Sequence, residues 1–322
     1  MAESPDTSES LDIIALGEAM VEFNQARSDD ERTYLQGFGG DTSNALIAAV
    51  RQGARGGYIT RLGDDEFGRM CLQLWRDENV DTRGVTIDPA AQTGVYFVQH
   101  GKQGHVFSYL RAGSAASRMQ PSDVPADLIA RARFLHVSGI SQAISASATD
   151  TVFHALSLAR EANVTVAYDP NLRLKLWPLA RARAIILATL PLADYFLPSY
   201  DDVRLLCGRE EPEDVLAWCH AQGARKVALK MGERGAWVSD GGDVQRIAAH
   251  RVEALDATGA GDCFDGTLLA RLVQGDDLAT AASWANAAAA LTTTGYGAVA
   301  PLPTRERVAR FLAEIAGRGL AA

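Results

Sequence analysis

Thr258-Gly259-Ala260-Gly261-Asp262 sets a carboxylate directly behind a stretch of backbone that almost no side chain covers. Phe264, Leu268, Leu269 and Leu272 then recur at helical spacing, so the stretch reads as a turn that opens a helix. The first amides of a helix have no intrahelical partner and sit at the positive end of its dipole. They suit phosphate oxygens, or negative charge developing in a transition state. A carboxylate beside such an anion hole can take the proton of an alcohol as it attacks a phosphoryl group. The same spacing also fits a plainer role for Asp262, complementing the helix dipole.

A second pair of glycines precedes a helix in the N-terminal third, where Gly39-Gly40-Asp41-Thr42-Ser43-Asn44 leads into Leu46, Ile47 and Val50. Asp256-Ala257-Thr258-Gly259-Ala260-Gly261-Asp262 resembles the C-terminal signature of the ribokinase-like sugar kinases (the PfkB family). Gly39-Gly40-Asp41-Thr42-Ser43-Asn44-Ala45 resembles an N-terminal element of the same family, in the family's order. The resemblance implies that Asp262 is the catalytic base, that Gly259, Ala260 and Gly261 form the anion hole, and that Gly39, Gly40 and Asn44 meet sugar hydroxyls. It implies ATP and Mg2+ as cofactors and leaves open a monovalent cation, K+.

Thr93 to Gln99 and His105 to Arg111 alternate with period two around Gly101-Lys102-Gln103-Gly104, the pattern of a β-hairpin. Alternation puts Tyr109 and Arg111 on one face, with Tyr96 on the matching face of the partner strand. Two phenols and a guanidinium can stack on a small ligand and pair with its carboxylate in a two-pronged geometry that lysine cannot reproduce. Tyrosines packed on a half-buried sheet beside a surface arginine would give the same pattern. Tyr109-Leu110-Arg111-Ala112-Gly113-Ser114-Ala115-Ala116 is similar to the matching stretch of the family's 2-keto-3-deoxygluconate kinases. That likeness implies phosphorylation of 2-keto-3-deoxy-D-gluconate at its terminal hydroxyl, with Tyr96, Tyr109 and Arg111 holding the acid. A neutral-sugar kinase of fructokinase or ribokinase type, and a sugar-binding regulator without catalysis, are the alternatives.

Further candidates follow apolar runs. Asp169-Pro170-Asn171-Leu172-Arg173 resembles the Asp-x-Asn-x-Arg of the keto-deoxygluconate kinases, which makes Arg173 a candidate for phosphate or carboxylate and Asn171 a nucleotide-side neighbour. Ser199-Tyr200-Asp201-Asp202 stands where many relatives carry Asn-x-x-Glu, and departs from it. Ser199 and Asp202 offer oxygens for a water-rich magnesium site. The family likeness also puts Lys230, Gly232 and Gly235, Thr258 and Asn286 against the nucleotide, although close helix packing explains the alanines around Asn286 equally well. His136, inside an apolar strand, reads as a core histidine. The acids of Gly63-Asp64-Asp65-Glu66 read as partners of a helix dipole.

The elements that must position these residues alternate. Short apolar runs at Ile13–Leu16, Tyr58–Leu62, Phe134–Gly139, Val164–Tyr168, Tyr195–Leu197 and Val227–Leu229 are separated by helical stretches. Such alternation predicts an α/β fold with a mostly parallel sheet, helices on both faces and ligands at the carboxyl ends of the strands. Residues 11–317 are expected to form one ribokinase-like domain, with lid strands inserted around 18–38 and 91–113 and a last helix over 304–317. Residues 1–10 and 318–322 are expected to be tails, the first disordered.

At 322 residues, 47% hydrophobic and 22% charged, the chain can bury a large core. Its net charge is −9 with no basic run, which argues against nucleic acid as a partner. Cys71, Cys207, Cys219 and Cys263 form no C-x-x-C pair, which argues against a zinc or disulfide framework and fits a reducing cytoplasm. Polar residues interrupt the alanine-rich stretch 281–290, so no membrane span is expected. A P-loop signature is absent. A small sugar acid is the expected partner. A homodimer or higher homo-oligomer joined through the lid strands is expected from relatives and from their open edges.

Overall fold

Successive residues of the first strand, β1 (Leu11–Leu16), feed opposite cores: Ile14 and Leu16 pack into one apolar cluster, Ile13 and Ala15 into another. A strand buried on both sides has to be apolar at nearly every position, and such strands belong to parallel sheets covered by helices. The computed structural model describes residues 10–25, 32–101 and 104–319. Residues 1–9 of the expected N-terminal tail, 26–31 of the lid, Lys102 and Gln103 of the hairpin turn and residues 320–322 lie outside the described residues.

From β1 the chain enters the lid strands β2 (Met20–Gln25) and β3 (Tyr34–Gly39), then α1 (Asp41–Arg51), β4 (Gly56–Gly63), α2 (Glu66–Asp77) and β5 (Asp81–Asp88). The lid hairpin β6 (Gly94–Gly101) and β7 (Gly104–Leu110) follows. Next come α3 (Ala126–Ala130), β8 (Ala132–Ser138), α4 (Gly139–Ala143), α5 (Ala146–Glu161), β9 (Thr165–Asp169), α6 (Leu179–Thr189) and β10 (Tyr195–Phe196). The chain ends through α7 (Tyr200–Cys207), α8 (Pro212–Ala221), β11 (Lys226–Lys230), β12 (Ala236–Ser239), β13 (Val244–Ile247), α9 (Ala260–Val273), α10 (Leu278–Thr292) and α11 (Arg305–Gly319). The last helix thus carries on past residue 317.

Nine strands form the main sheet in the order β13-β12-β11-β10-β9-β8-β1-β4-β5, parallel from β11 through β5 and antiparallel at the β12 and β13 edge. Helices α3 to α8 cover one face with the Leu135–Tyr168 side of the core. Helices α1, α2, α9, α10 and α11 cover the other. Strand order reverses between β1 and β8, so their carboxyl ends splay apart and leave a crevice there. The lid is a separate four-stranded sheet, β3-β2-β6-β7, which joins β2 to β6 in parallel and is otherwise antiparallel. The architecture expected from the alternating pattern is therefore the observed one. Asp65 caps α2 by accepting from the Gly68 amide at 2.7 Å, in keeping with the plain reading of that acidic run. None of the described helices is long and apolar enough to cross a membrane.

Candidate active site

A cavity of about 980 Å³ opens at the switch point, floored by the first turns of α1 and α9 and by the ends of β9 and β11, and walled by the lid. Two helix N-termini meeting at one floor need close contact between the helices. Gly266 allows it, since a Cβ there would overlap the Ala45 carbonyl of α1. That contact brings Asn44, one turn into α1, within reach of the start of α9. The Asn44 amide donates to Asp262 Oδ2 at 2.8 Å. Burial raises the proton affinity of Asp262, and the nearby Asp41 carboxylate raises it further against the Asn44 hydrogen bond, bringing the pKa to about 7. A carboxylate tuned to that range can both hold and release a proton near neutrality.

Gly259 is the N-cap of α9 with φ 75°, a left-handed conformation, and a Cβ there would lie 2.8 Å from the Ala298 carbonyl oxygen. Gly259, Gly261 and Asp262 line the cavity; Ala260 does not, and its amide donates to Ala257 O at 3.2 Å. Thr258, another lining residue, donates its amide and hydroxyl to Asp256 Oδ1 at 2.9 and 2.6 Å. Asp256 is buried, and its Oδ2 accepts from the Gly297 amide at 2.9 Å. It ties the loop before α9 to the loop after α10. Sequence reasoning quoted Asp256 within a motif and gave it no role.

Beside Asp262 the floor carries acceptors without donors. Asp41 Oδ1 and Asn44 Oδ1 are buried without a hydrogen-bond partner, while Asp41 Oδ2 accepts from Asn171 Nδ2 at 2.9 Å. Buried acceptors of this kind call for a ligand that brings hydroxyl donors. Next to them Lys230 Nζ lies 2.9 Å from Asp169 Oδ2 and 2.9 and 2.8 Å from the two oxygens of Asp265. Burial works against the ammonium charge, but the two carboxylates outweigh it and raise the lysine's proton affinity, so Lys230 stays charged. Asp169 also accepts from the Asn171 amide at 2.9 Å, which holds Asn171 at φ 32°. Asp169 and Asp265 were not among the sequence candidates. Asp265 stands three residues after Asp262, on the same helical face, and that spacing was the available signal.

The lid delivers the expected aromatic face. Tyr96 and Tyr109 are direct cross-strand partners, their rings stacked with centroids 5.7 Å apart, and the Arg111 guanidinium lies 5.7 Å from the Tyr109 ring centre. Two buried acids that the sequence reading passed over organise that face. Tyr96 donates its hydroxyl to Glu22, and Arg111 is paired with Glu18, which also accepts from the Ser114 hydroxyl at 2.5 Å. Burial raises the Glu22 pKa, with the Tyr96 bond acting against it. Glu22 lies within β2 and Glu18 in the link from β1 to β2, and only the fold shows which way each acid faces.

The remaining candidates divide between the cavity lining and the packing around it. Gly39 is buried outside the cavity lining, and a Cβ there would collide with the Tyr96 ring, so its smallness makes room for that ring. Gly40 does line the cavity, at φ 116°. Gly235, at φ 89°, packs on the backbone of residues 247–249 and does not line the cavity, whereas Gly232 does. Asn286 is likewise outside the lining: its amide donates to Ile247 O at 3.4 Å and Ala248 O at 3.3 Å and braces that segment against α10. Arg173 is exposed at the cavity wall, with its guanidinium donating to Leu172 O at 3.0 Å. Ser199 caps α7, accepting from the Asp202 amide at 3.3 Å. Asp202 Oδ2 accepts from the Leu172 amide at 3.0 Å, so this carboxylate first shapes the 170–173 loop. Burial raises its pKa. Among the described residues no group of three or more acidic, histidine or cysteine side chains is arranged to hold a metal ion. His136 is buried in β8 as expected, its proton affinity lowered by burial.

A doubly covered parallel sheet, a small β lid and a carboxylate at a glycine-rich helix start between them are the parts of a ribokinase-like kinase. The chain belongs to the pfkB family of carbohydrate kinases, whose family model matches residues 10–305. It is 36% identical to a 2-dehydro-3-deoxygluconokinase of Thermoproteus tenax over 94% of each chain. It is 32% identical to the 2-dehydro-3-deoxygluconokinase of Bacillus subtilis, over 94% of this chain and 95% of that one. Among solved structures, a fructokinase of Vibrio cholerae with fructose, ADP and calcium ion bound superimposes with a TM-score of 0.84 at 30% identity, over 94% of this chain and 99% of that chain. The protein is a carbohydrate kinase.

Proposed function

We propose that the protein phosphorylates 2-keto-3-deoxy-D-gluconate on its terminal hydroxyl, taking the phosphoryl group from ATP. The observation that carries the reading is Asp262: held by Asn44, tuned to about pH 7 and set at the glycine-rich start of α9 in a cavity large enough for both substrates. In the reaction, Asp262 accepts the proton of the attacking hydroxyl. The backbone at Gly259 and Gly261, which lines the cavity, faces the transferred phosphoryl oxygens. Magnesium bound with the nucleotide would neutralise phosphate charge, and the oxygens of Asp202 and Ser199 on the cavity wall would hold its water shell. The unpartnered oxygens of Asp41 and Asn44 receive sugar hydroxyls. Closure of the lid over the acid excludes water and suppresses ATP hydrolysis.

Support for an acid substrate comes from Arg111 on the cavity wall beside Tyr109, and from the two 2-dehydro-3-deoxygluconokinases. A fructokinase-type activity is the second reading, because the Arg111 charge is already paired with Glu18. Coupled ADP release with 2-keto-3-deoxygluconate, fructose and ribose separates them. Preference for the neutral sugars would overturn the first reading, and no ADP release with any sugar would point to a regulator. Residues 11–317 act in this reading as one catalytic unit. Leu35, Val106 and Leu110, exposed on the outer strands of the lid, suit a homodimer formed lid to lid, which light scattering of the eluted protein tests.

A further inference from the structure

Arg111 and Glu18 face each other as a closed pair at the lid's root. The Glu18 side chain is 1% exposed and that of Arg111 12%. Ser114, fully buried, donates to the second oxygen of Glu18 at 2.5 Å, and a Cβ at Gly94 would lie 2.9 Å from that oxygen, so both carboxylate oxygens are fixed. A guanidinium has more N–H donors than one carboxylate can take. Arg111 Nε is buried without a hydrogen-bond partner. The lid therefore presents an arginine with donors to spare and with its charge matched by an acid fixed behind it.

We infer that Glu18 determines specificity: its buried carboxylate cancels the Arg111 charge, so the lid reads the substrate's acid end by directional hydrogen bonds and admits neutral ketoses of similar size. The inference rests on the proposed binding of the substrate acid by Arg111. Two charges a few ångströms apart act on a third as a dipole, whose attraction falls off faster than that of a lone cation. A carboxylic acid then gains over a hydroxymethyl group mainly through charge-assisted bonds to the free N–H groups. Removing the Glu18 charge while keeping its shape should turn a tolerant site into one that favours acids, which is specificity gained by deleting a repulsion.

The test compares kcat/KM for 2-keto-3-deoxygluconate and fructose in wild type, Glu18→Gln, Ser114→Ala, Arg111→Gln and the Glu18→Gln/Arg111→Gln double variant. Glu18→Gln is expected to raise the acid-over-fructose ratio by roughly tenfold or more, as removal of one charge at this range allows. Ser114→Ala disturbs the same geometry without changing charge and is expected to leave the ratio within about twofold. Arg111→Gln strands the Glu18 charge against the acid, and the double variant is expected to recover about tenfold of the lost acid kcat/KM. This last comparison also covers the case in which Glu18→Gln alone does not fold. A ratio that stays level or falls in Glu18→Gln, an equal change in Ser114→Ala, or no recovery in the double variant would overturn the role of Glu18. Wild type that ignores the acid, or Arg111→Gln that loses acid and fructose equally, would instead overturn the underlying assignment of Arg111.

Discussion

Lowering the pH should switch the enzyme off through Asp262 in a range where an ordinary aspartate, titrating near 3.9, would still be ionised. Burial is the larger cause of its raised pKa, about 7, and the Asp41 carboxylate is the next; the Asn44 hydrogen bond and the Lys230 charge act the other way, and Asp169 adds to the rise. A base must be unprotonated to act, so activity is present above the pKa and lost below it. With the pKa about 7, kcat/KM should be about half its plateau at pH 7, about one tenth at pH 6 and about one hundredth at pH 5. Initial rates of ADP release at subsaturating sugar, in buffers of constant ionic strength from pH 5 to 9, give the profile of the free enzyme. Asp41→Asn then removes a like charge while keeping an oxygen that can accept from Asn171. The acid limb should move to lower pH, since one source of the raised pKa is gone. A wild-type profile flat down to pH 5 would refute the tuning of Asp262, and an unmoved limb in Asp41→Asn would remove Asp41 from it.

Asp262→Asn should lower kcat by about a hundred- to ten-thousand-fold, read in the same assay. The raised pKa also means that wild type loses stability as pH climbs from about 4 through 7, because the fold resists ionising this group. The variant should therefore melt above wild type at pH 8, by on the order of 1–3 kcal/mol, and by much less at pH 4. Lys230→Met strands the buried carboxylates of Asp169 and Asp265 and should cost about 3–5 kcal/mol in denaturant unfolding, part of which Lys230→Met/Asp265→Asn recovers. Gly266→Ala drives a methyl group into the Ala45 carbonyl, and should cost about 1–3 kcal/mol and lower kcat by parting Asn44 from Asp262. Thermal melts and turnover of the purified variant check both effects.

Much of the fold was legible because its causes are local. Apolar runs such as Ile13–Leu16 must be covered on both sides, and the period-two segments around residues 101–104 form the expected hairpin with Tyr96 opposite Tyr109. The glycine-rich opening of α9 could be placed for a similar reason: its signal is backbone exposure followed by helical spacing. Less legible were Glu18, Glu22, Asp169, Asp256 and Asp265. Each is an acid whose burial and partner come from a distant segment: Arg111 for Glu18, Tyr96 for Glu22, Lys230 for Asp169 and Asp265, and Gly297 for Asp256. Gly39, Gly235 and Asn286 also have packing partners that their residue types did not announce: the Tyr96 ring beside Gly39, and the backbone of residues 247–249 beside Gly235 and Asn286.

By itself the sequence determined which segments become strands and helices, that a carboxylate would stand at a glycine-rich helix start, and that the chain is a sugar kinase of the pfkB kind. Tertiary structure alone decided which acids face Asp262, what the Arg111 charge is matched against, and which glycines serve packing. Periodicity and turn chemistry act between neighbours in the chain. Proton affinity and charge balance depend on burial and on groups such as Asn44 and Asp262, 218 residues apart, that only the folded sheet brings together.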